Sequence, residues 1–214
     1  MKKIFLISLI SLFVSTNLVA SDYGLVNNIH ETDPGKLYRS AQLKDHELKK
    51  LILKRKIKTV INLRGEGVDK DWYQKELRAS NELGVAHFDI AMSASRLPHK
   101  DDLRKLLALY ETAERPILIH CLAGADRTGE AAALYQMIYM GKSKDEAIKQ
   151  LSIRFFHLPS AKPAKRYFIR DVWQGVEWAK NSYDPCKADY RYYNREQFCN
   201  TPTQVSEDDT DSDS

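Results

Sequence analysis

Several features that define other classes of protein are scarce or missing in this sequence. It has only 3 Cys, 9 Gly and 7 Pro in 214 residues, which excludes a disulfide-rich miniprotein and a collagen-like or low-complexity chain. No segment after residue 20 is apolar enough to span a bilayer, so stable membrane insertion is not expected. The sequence also has no basic stripe with interleaved aromatic residues, so nucleic acid is not an expected partner.

What remains is the composition of a globular domain. Hydrophobic residues make up 43% and charged residues 29% of the 214 positions, and this length suffices for one domain with a sizeable core. The formal net charge is +4, and because residues 206–214 are acidic, the rest of the chain is more positive still. A basic body suits an anionic ligand.

The first twenty residues have the layout of a secretory signal peptide. Lys2 and Lys3 precede an apolar run from Ile4 to Val14, and small residues follow up to Ala20. The run is shorter than the ~20 apolar residues that a membrane-spanning helix needs. We therefore expect this segment, residues 1–20, to be removed and the protein to be exported, to the periplasm or as a secreted protein.

The rest of the chain is expected to form one globular domain over residues 22–181, a C-terminal extension over 182–205 and a disordered acidic tail over 206–214. Two of the three cysteines, Cys186 and Cys199, lie close together in the extension. In an oxidising compartment they could form a disulfide. That pairing would leave the third cysteine free, either as a reactive group or as an inert buried residue.

Hydrophobic periodicity predicts alternating strands and helices. The predicted strands lie at 35–38, 58–63, 85–91 and 117–119, and the predicted helices at 43–54, 71–83, 101–114, 131–140 and 165–180. This alternation predicts an α/β fold with a central, mostly parallel sheet flanked by helices. Ligands bind beyond the carboxyl ends of the strands in such sheets, and Cys121 directly follows the strand at 117–119.

The stretch after that strand carries groups that suit a phosphoryl ligand. Backbone N–H groups of a loop can surround an anion, with Gly124 allowing the turn and the following helix adding its positive end. Arg127 can hold two phosphoryl oxygens with its planar fork. A helix N-terminus and a nearby arginine favour a cysteine thiolate. The expected phosphate-binding residues are Leu122, Ala123, Gly124, Ala125, Asp126 and Arg127.

His120-Cys121, five residues, and then Arg127-Thr128-Gly129 resembles the signature of the protein tyrosine phosphatase superfamily. The loop is most similar to that of bacterial dual-specificity phosphatases with Ala-Gly-x-Asp-Arg-Thr-Gly, and of PTP-like inositol polyphosphatases (phytases), which are often exported. The stretches 37–42 and 61–64 are also similar to segments of these phosphatases. The resemblance implies a PTP/dual-specificity phosphatase-like fold and makes residues 22–181 a cysteine phosphatase domain.

The resemblance also implies the roles of the loop residues. Cys121 would attack phosphorus and form a cysteinyl-phosphate, which water then hydrolyses. Arg127 and the loop N–H groups would stabilise the transition state, so no metal or other cofactor is required. Thr128 would donate a hydrogen bond to the sulfur, and His120 would brace the loop. The remaining histidines have no ligand spacing, so a zinc site is not expected: His30, His46, His87, His99 and His157.

The proton donor for the leaving group has two candidates. Asp126 lies within the loop, where the similar bacterial group is thought to use its aspartate as general acid, and it is the first choice. Asp89 is the second choice, because many superfamily members use an aspartate about thirty residues before the cysteine; it sits inside a predicted strand. Asp101 and Asp102 are better explained as helix N-terminal charges.

Three further arginines, Arg64, Arg39 and Arg96, are expected to contact substrate. The expected partner is a small anionic phosphorylated molecule or a phosphoprotein. Export favours inositol polyphosphates, and a protein tyrosine or dual-specificity phosphatase is the alternative. Ala125 stands where phosphoinositide-specific relatives often have Lys, which disfavours phosphoinositides. A phosphate-binding protein without activity, a sulfur transferase and an arsenate reductase are more distant alternatives.

Overall fold

The computed structural model describes residues 27–193 and 195–199. The predicted signal peptide, residues 1–20, and the predicted acidic tail, residues 206–214, lie outside the described residues. Within the described part of the chain, no helix is both long and apolar enough to cross a membrane.

A five-stranded sheet forms the centre of the fold. Its strands are β1 (His30–Asp33), β2 (Leu37–Ser40), β3 (Thr59–Asn62), β4 (Ala86–Asp89) and β5 (Ile117–His120). The spatial order is β1-β2-β5-β3-β4. β2, β5, β3 and β4 run parallel, and only β1 is antiparallel to its neighbour. The predicted α/β fold with a mostly parallel sheet is confirmed, with one additional edge strand.

That additional strand, β1, carries no apolar signal because its sequence is His-Glu-Thr-Asp. It pairs with β2 through a tight turn in which Gly35 has a φ of +69°, a conformation that glycine adopts without steric cost. Pairing to β2, rather than burial of apolar side chains, therefore places this strand at the sheet edge.

Eight α-helices are described. They are α1 (Asp45–Arg55), α2 (Asp71–Glu82), α3 (Lys100–Thr112), α4 (Asp126–Tyr139), α5 (Lys144–Ala147), α6 (Pro163–Tyr167), α7 (Val176–Asn181) and α8 (Arg195–Cys199). α5 begins with a capping box, in which the side chains of Ser143 and Glu146 accept hydrogen bonds from each other's backbone N–H groups. The Cys186–Cys199 disulfide is present in the C-terminal extension.

The prediction of a single helix over residues 165–180 is wrong. The chain instead forms α6, a π-helical turn over Phe168–Val172 and the separate helix α7. Gly175 precedes α7 with a φ of +111°, which no right-handed helix contains. The apolar spacing continues through this break because both pieces bury residues against the same core, so periodicity alone did not reveal it.

The apolar residues lie on both faces of the sheet, and β5 shows this division. Ile117 and Ile119 belong to the larger cluster, which includes residues of α3 and α4. Leu118 points to the opposite face, into a cluster with residues of α1, as expected for alternating side chains. Because both faces of β5 are packed against apolar residues, the position of its carboxyl end is well defined, and so is the start of the loop that follows it.

Candidate active site

The loop between β5 and α4, residues 121–125, lies against the end of β2. Gly124 has a φ of +66°, and a Cβ at this position would lie 2.6 Å from backbone atoms of Ser40 and Ala41. Real Cβ contacts do not occur at this distance, so both the backbone conformation and the close approach require glycine. Cys121, at the start of the loop, is 2% exposed, and α4 begins five residues later.

Three consecutive carbonyl groups of the loop accept hydrogen bonds from the surrounding protein. The acceptor and donor pairs are Leu122 O and Gln42 N at 3.1 Å, Ala123 O and Asn28 Nδ2 at 2.9 Å, and Gly124 O and Arg39 Nη2 at 2.7 Å. In a trans peptide the N–H points opposite to the C=O. The N–H groups of residues 123–125 therefore face the concave side of the loop, where they can bind an anion.

Arg39 supports this loop by donating a hydrogen bond to Gly124 O. The prediction that Arg39 contacts substrate is therefore wrong. Its side chain is fully buried and also bonds the backbone and side chain of Gln150, at 3.1 and 2.6 Å. The guanidinium lies 4.1 Å from the centre of the Phe155 ring. Burial lowers the pKa of Arg39 to about 9, although the nearby Cys121 opposes this shift. Sequence reasoning missed this role because the contacts span 85 to 111 positions.

Arg127, in the first turn of α4, is held only weakly by the protein. Its Nη1 lies 3.4 Å from Leu63 O, and its Nε is buried without a hydrogen-bond partner. In the described part of the chain no carboxylate forms an ion pair with it. An arginine with unsatisfied donors beside a buried thiol suits a bound oxyanion.

Arg64 lies next to this pair, just after β3. Its Nη1 donates to Gln42 Oε1 at 2.8 Å, and its guanidinium stacks on Trp72 at 3.5 Å from the ring centre. Burial lowers the pKa of Arg64, and the positive charge of Arg127 lowers it further, while Cys121 acts in the opposite sense. Arg64 is therefore close enough to interact electrostatically with both Arg127 and Cys121.

Glu76 of α2 links this region to His120, the residue before Cys121. Its Oε1 lies 3.0 Å from His120 Nε2 and 2.8 Å from His87 Nε2, and its Oε2 accepts from the Gln42 side chain. Burial alone would raise the pKa of Glu76, but the charge and hydrogen bonds of the two histidines outweigh burial and hold it well below its usual range. No sequence pattern points to Glu76, because it lies 44 positions before His120.

The two candidate proton donors lie in different surroundings. Asp126 is the first residue of α4, and its Oδ1 lies 2.7 Å from Nδ1 of His157. Asp89 ends β4, two strands from β5, so it lies about 9–10 Å from His120 at the usual strand spacing. Both oxygens of Asp89 already accept hydrogen bonds, from Asn62 and from Tyr73. The structure therefore places Asp126, and not Asp89, beside the loop.

Two further expectations concern Thr128 and Arg96. The predicted hydrogen bond from Thr128 to the sulfur is absent, because its hydroxyl is buried without any hydrogen-bond partner. The backbone carbonyl of Arg96 accepts from Lys165 Nζ at 2.7 Å. Lys165 is fully buried and also pairs with Glu130 of α4 at 2.7 Å, so the loop after β4 is attached to the helix that carries Arg127. Substrate contact by the Arg96 side chain stays a prediction.

A buried thiol at the start of a loop of inward-facing N–H groups, followed by an arginine that has no ion pair among the described residues, is the arrangement expected of a phosphatase of the protein tyrosine phosphatase superfamily. The model of the family described as DSP-PTPase phosphatase fused to NAD+ kinase matches residues 12–170. The chain belongs to this family, whose phosphatases are phosphoric monoester hydrolases.

The dual specificity protein phosphatase TpbA of Pseudomonas aeruginosa is 30% identical to this chain over 128 residues, which are 58% of this chain and 53% of TpbA. The chain thus spans about half the length of this curated relative. The crystal structure of TpbA has a TM-score of 0.57 at 23% identity and covers 72% of this chain and 89% of its own.

The catalytic domain of the PP-IP phosphatase SIW14 from S. cerevisiae, in complex with citrate, has a TM-score of 0.56 at 23% identity and covers 67% of this chain and 84% of its own. At these identities the two structures show a shared fold. Among the described residues, no group of three or more His, Cys, Asp or Glu side chains could hold a metal ion.

Proposed function

We propose that this protein hydrolyses small polyanionic phosphomonoesters, with inositol polyphosphates as the substrate class, through a cysteinyl-phosphate intermediate. The observation that carries the proposal is the pair of arginines beside Cys121. Neither Arg127 nor Arg64 forms an ion pair with a carboxylate among residues 27–193. Two such cations beside one thiol favour a ligand with more than one negative group.

The proposed reaction has two steps. The Cys121 thiolate attacks phosphorus, the P–O ester bond breaks, and the leaving oxygen takes a proton from Asp126. The Arg127 guanidinium and the N–H groups of residues 123–125 hold the three phosphoryl oxygens. Water then attacks the cysteinyl-phosphate, Asp126 removes its proton, and inorganic phosphate leaves as the thiolate returns.

Arg64 is proposed to bind a second phosphate of the same substrate. Gln42 and Trp72 hold its guanidinium from one edge and one face, so its remaining donors need little reordering to bind an anion. The SIW14 structure supports this substrate class by analogy, since SIW14 is a PP-IP phosphatase. Hydrolysis of phosphoproteins is the second candidate, supported by the 30% identity to a dual specificity protein phosphatase.

The test compares phosphate release from inositol hexakisphosphate and from a phosphotyrosine peptide, both with EDTA present. We expect release from the inositol phosphate, and we expect Cys121→Ser to abolish it while the variant still binds the substrate. Release from the peptide alone would make the protein a phosphoprotein phosphatase. Turnover that persists in Cys121→Ser would overturn the nucleophile assignment.

A second comparison isolates Arg64. Arg64→Ala should raise KM for inositol hexakisphosphate by about 10-fold or more, because it removes a charge-assisted hydrogen bond of ~1.5–3 kcal/mol. With p-nitrophenyl phosphate, which has one phosphate, KM should change little. Arg78→Ala, on an exposed part of α2, is the matched control. Equal changes in KM for both substrates would contradict a second phosphate site.

We also propose that the protein is exported. The proposal rests on the signal-like residues 1–20 and on the Cys186–Cys199 disulfide, a bond typical of proteins in oxidising compartments. N-terminal sequencing of the protein recovered from its cells should find a chain that begins at Ser21 or Asp22. A full-length chain confined to the cytosol would contradict export.

A further inference from the structure

His157 is a buried titratable residue that the proposed reaction does not yet use. It follows a short 3₁₀ turn, Ile153–Phe155, and its side chain is fully buried. Its Nδ1 lies 2.7 Å from Asp126 Oδ1, and its Nε2 is buried without a hydrogen-bond partner. The sequence offers no reason to connect it with the site, because it lies 31 positions after Asp126.

The hydrogen bond determines which ring nitrogen carries the proton. Oδ1 of Asp126 accepts a hydrogen bond both when the carboxyl group is ionised and when it carries its proton on Oδ2, so Nδ1 of His157 donates to it. A neutral ring protonated at Nδ1 then has only a lone pair at the unpartnered Nε2. A ring protonated at both nitrogens would leave a buried N–H without an acceptor, which is costly.

The same bond distinguishes the two oxygens of Asp126. Oδ1 is occupied by His157, whereas the Asp126 side chain is still 19% exposed, so Oδ2 is the oxygen available to a ligand. We propose that His157 is a positioning residue: by holding Oδ1, it directs Oδ2 of Asp126 at the leaving-group oxygen. This inference rests on the proposed role of Asp126 as general acid.

The position of Asp126 on its helix explains why such a brace matters. Asp126 is the first residue of α4, and its side chain is 19% exposed, so the orientation of its carboxyl group depends on the hydrogen bond that it makes. A proton donor must come within about 2.6–3.2 Å of the atom that it protonates. A donor N–H on a fully buried ring confines the carboxylate to one orientation and removes the entropy cost of orienting it during the reaction.

The test measures kcat/KM for Asp126→Asn, His157→Ala, His157→Asn and the double variant Asp126→Asn/His157→Ala, because kcat/KM reports departure of the leaving group and not the later hydrolysis step that all substrates share. Each is assayed on an alkyl phosphate, whose leaving group needs a proton, and on p-nitrophenyl phosphate, whose leaving group departs as an anion. General acid catalysis contributes about 10²–10⁴-fold. We expect His157→Ala to lower kcat/KM for the alkyl phosphate by about 10-fold or more and to change kcat/KM for p-nitrophenyl phosphate little.

The conservative variants separate positioning from simple structural support. The amide nitrogen of Asn lies near the place of Nδ1, so His157→Asn should recover most of the activity on the alkyl phosphate. His157→Gln, whose amide reaches toward the place of Nε2, should not recover it, and this pair keeps the test valid if His157→Ala fails to fold. The double variant should be no slower than Asp126→Asn alone, because residues that act as a unit are not additive.

The outcomes distinguish the two hypotheses. If Asp126→Asn slows both substrates equally, Asp126 is not the general acid, and the inference falls with the proposed role. If Asp126→Asn slows only the alkyl phosphate but His157→Ala slows both substrates equally or neither, the general acid stands and the positioning role of His157 is overturned.

Discussion

Replacement of Gly124 by alanine perturbs the loop at the point where its conformation and its packing both require glycine. Gly84, between α2 and β4, provides a matched control. The two glycines have φ values of +66° and +64°, but a Cβ at Gly84 would meet nothing within 4 Å, whereas at Gly124 it would lie 2.6 Å from the backbone of Ser40 and Ala41.

The magnitudes follow from these two geometries. The left-handed conformation costs a residue with a Cβ about 1–2 kcal/mol, and this cost applies to both variants. The loss of backbone freedom in the unfolded chain is also the same for both. Gly124→Ala alone adds an overpacking cost of about 1–3 kcal/mol, because the Cβ meets backbone that cannot rotate away. We therefore expect destabilisation of about 2–5 kcal/mol for Gly124→Ala and about 1–2 kcal/mol for Gly84→Ala.

Urea unfolding measures the stability difference, and phosphate release measures the effect on the site. A shift of the loop by about 1 Å would move the N–H groups off the phosphoryl oxygens and could lower kcat/KM by about 10²-fold. Gly84→Ala should leave kcat/KM unchanged. Equal destabilisation by the two variants together with equal activity would refute the argument that the loop requires close contact with the end of β2.

Two further predictions concern stability. Glu76→Gln should lower the free energy of unfolding by about 3–5 kcal/mol, because the buried histidines lose their carboxylate, whereas Glu82→Gln, which removes only a surface ion pair, should cost less than about 1 kcal/mol. Because folding lowers the pKa of Glu76, its contribution is present at neutral pH and is lost as the pH falls below 4.5, the value in the unfolded chain. The urea midpoints of wild type and Glu76→Gln should therefore converge in acid, and a constant gap would contradict this assignment. Cys186→Ser removes a crosslink between residues 13 positions apart. In urea unfolding it should destabilise the protein by about 3 kcal/mol, the value expected for a loop of about 15 residues. No change in stability would show that the extension unfolds independently.

Much of the fold was predictable because its signals are local. The strand predicted at 117–119 is a continuous apolar run, which is typical of a strand covered on both faces, and all three residues are fully buried. Periodicity also located α1, α2 and α3 to within two residues at each end. It failed at β1, which has no apolar side chains, and at Gly175, where the chain breaks while the apolar spacing continues.

For the site, the sequence by itself determined the contiguous part. The loop from His120 to Gly129, with its cysteine, its glycine and its arginine, lies in one stretch, so the order of the residues already placed them around one anion. Local spacing suffices there because a strand, a tight turn and a helix N-terminus leave the backbone few alternatives.

Only the tertiary structure decided which distant residues hold that loop. Arg39 reaches Gln150 over 111 positions, Glu76 reaches His120 over 44, and His157 reaches Asp126 over 31. These pairings depend on the order of the strands in the sheet and on the helix faces that turn toward their carboxyl ends. Neither is encoded in the spacing of neighbouring residues. The sequence alone therefore does not distinguish an arginine that is buried and supports the loop from one that contacts the substrate at the surface.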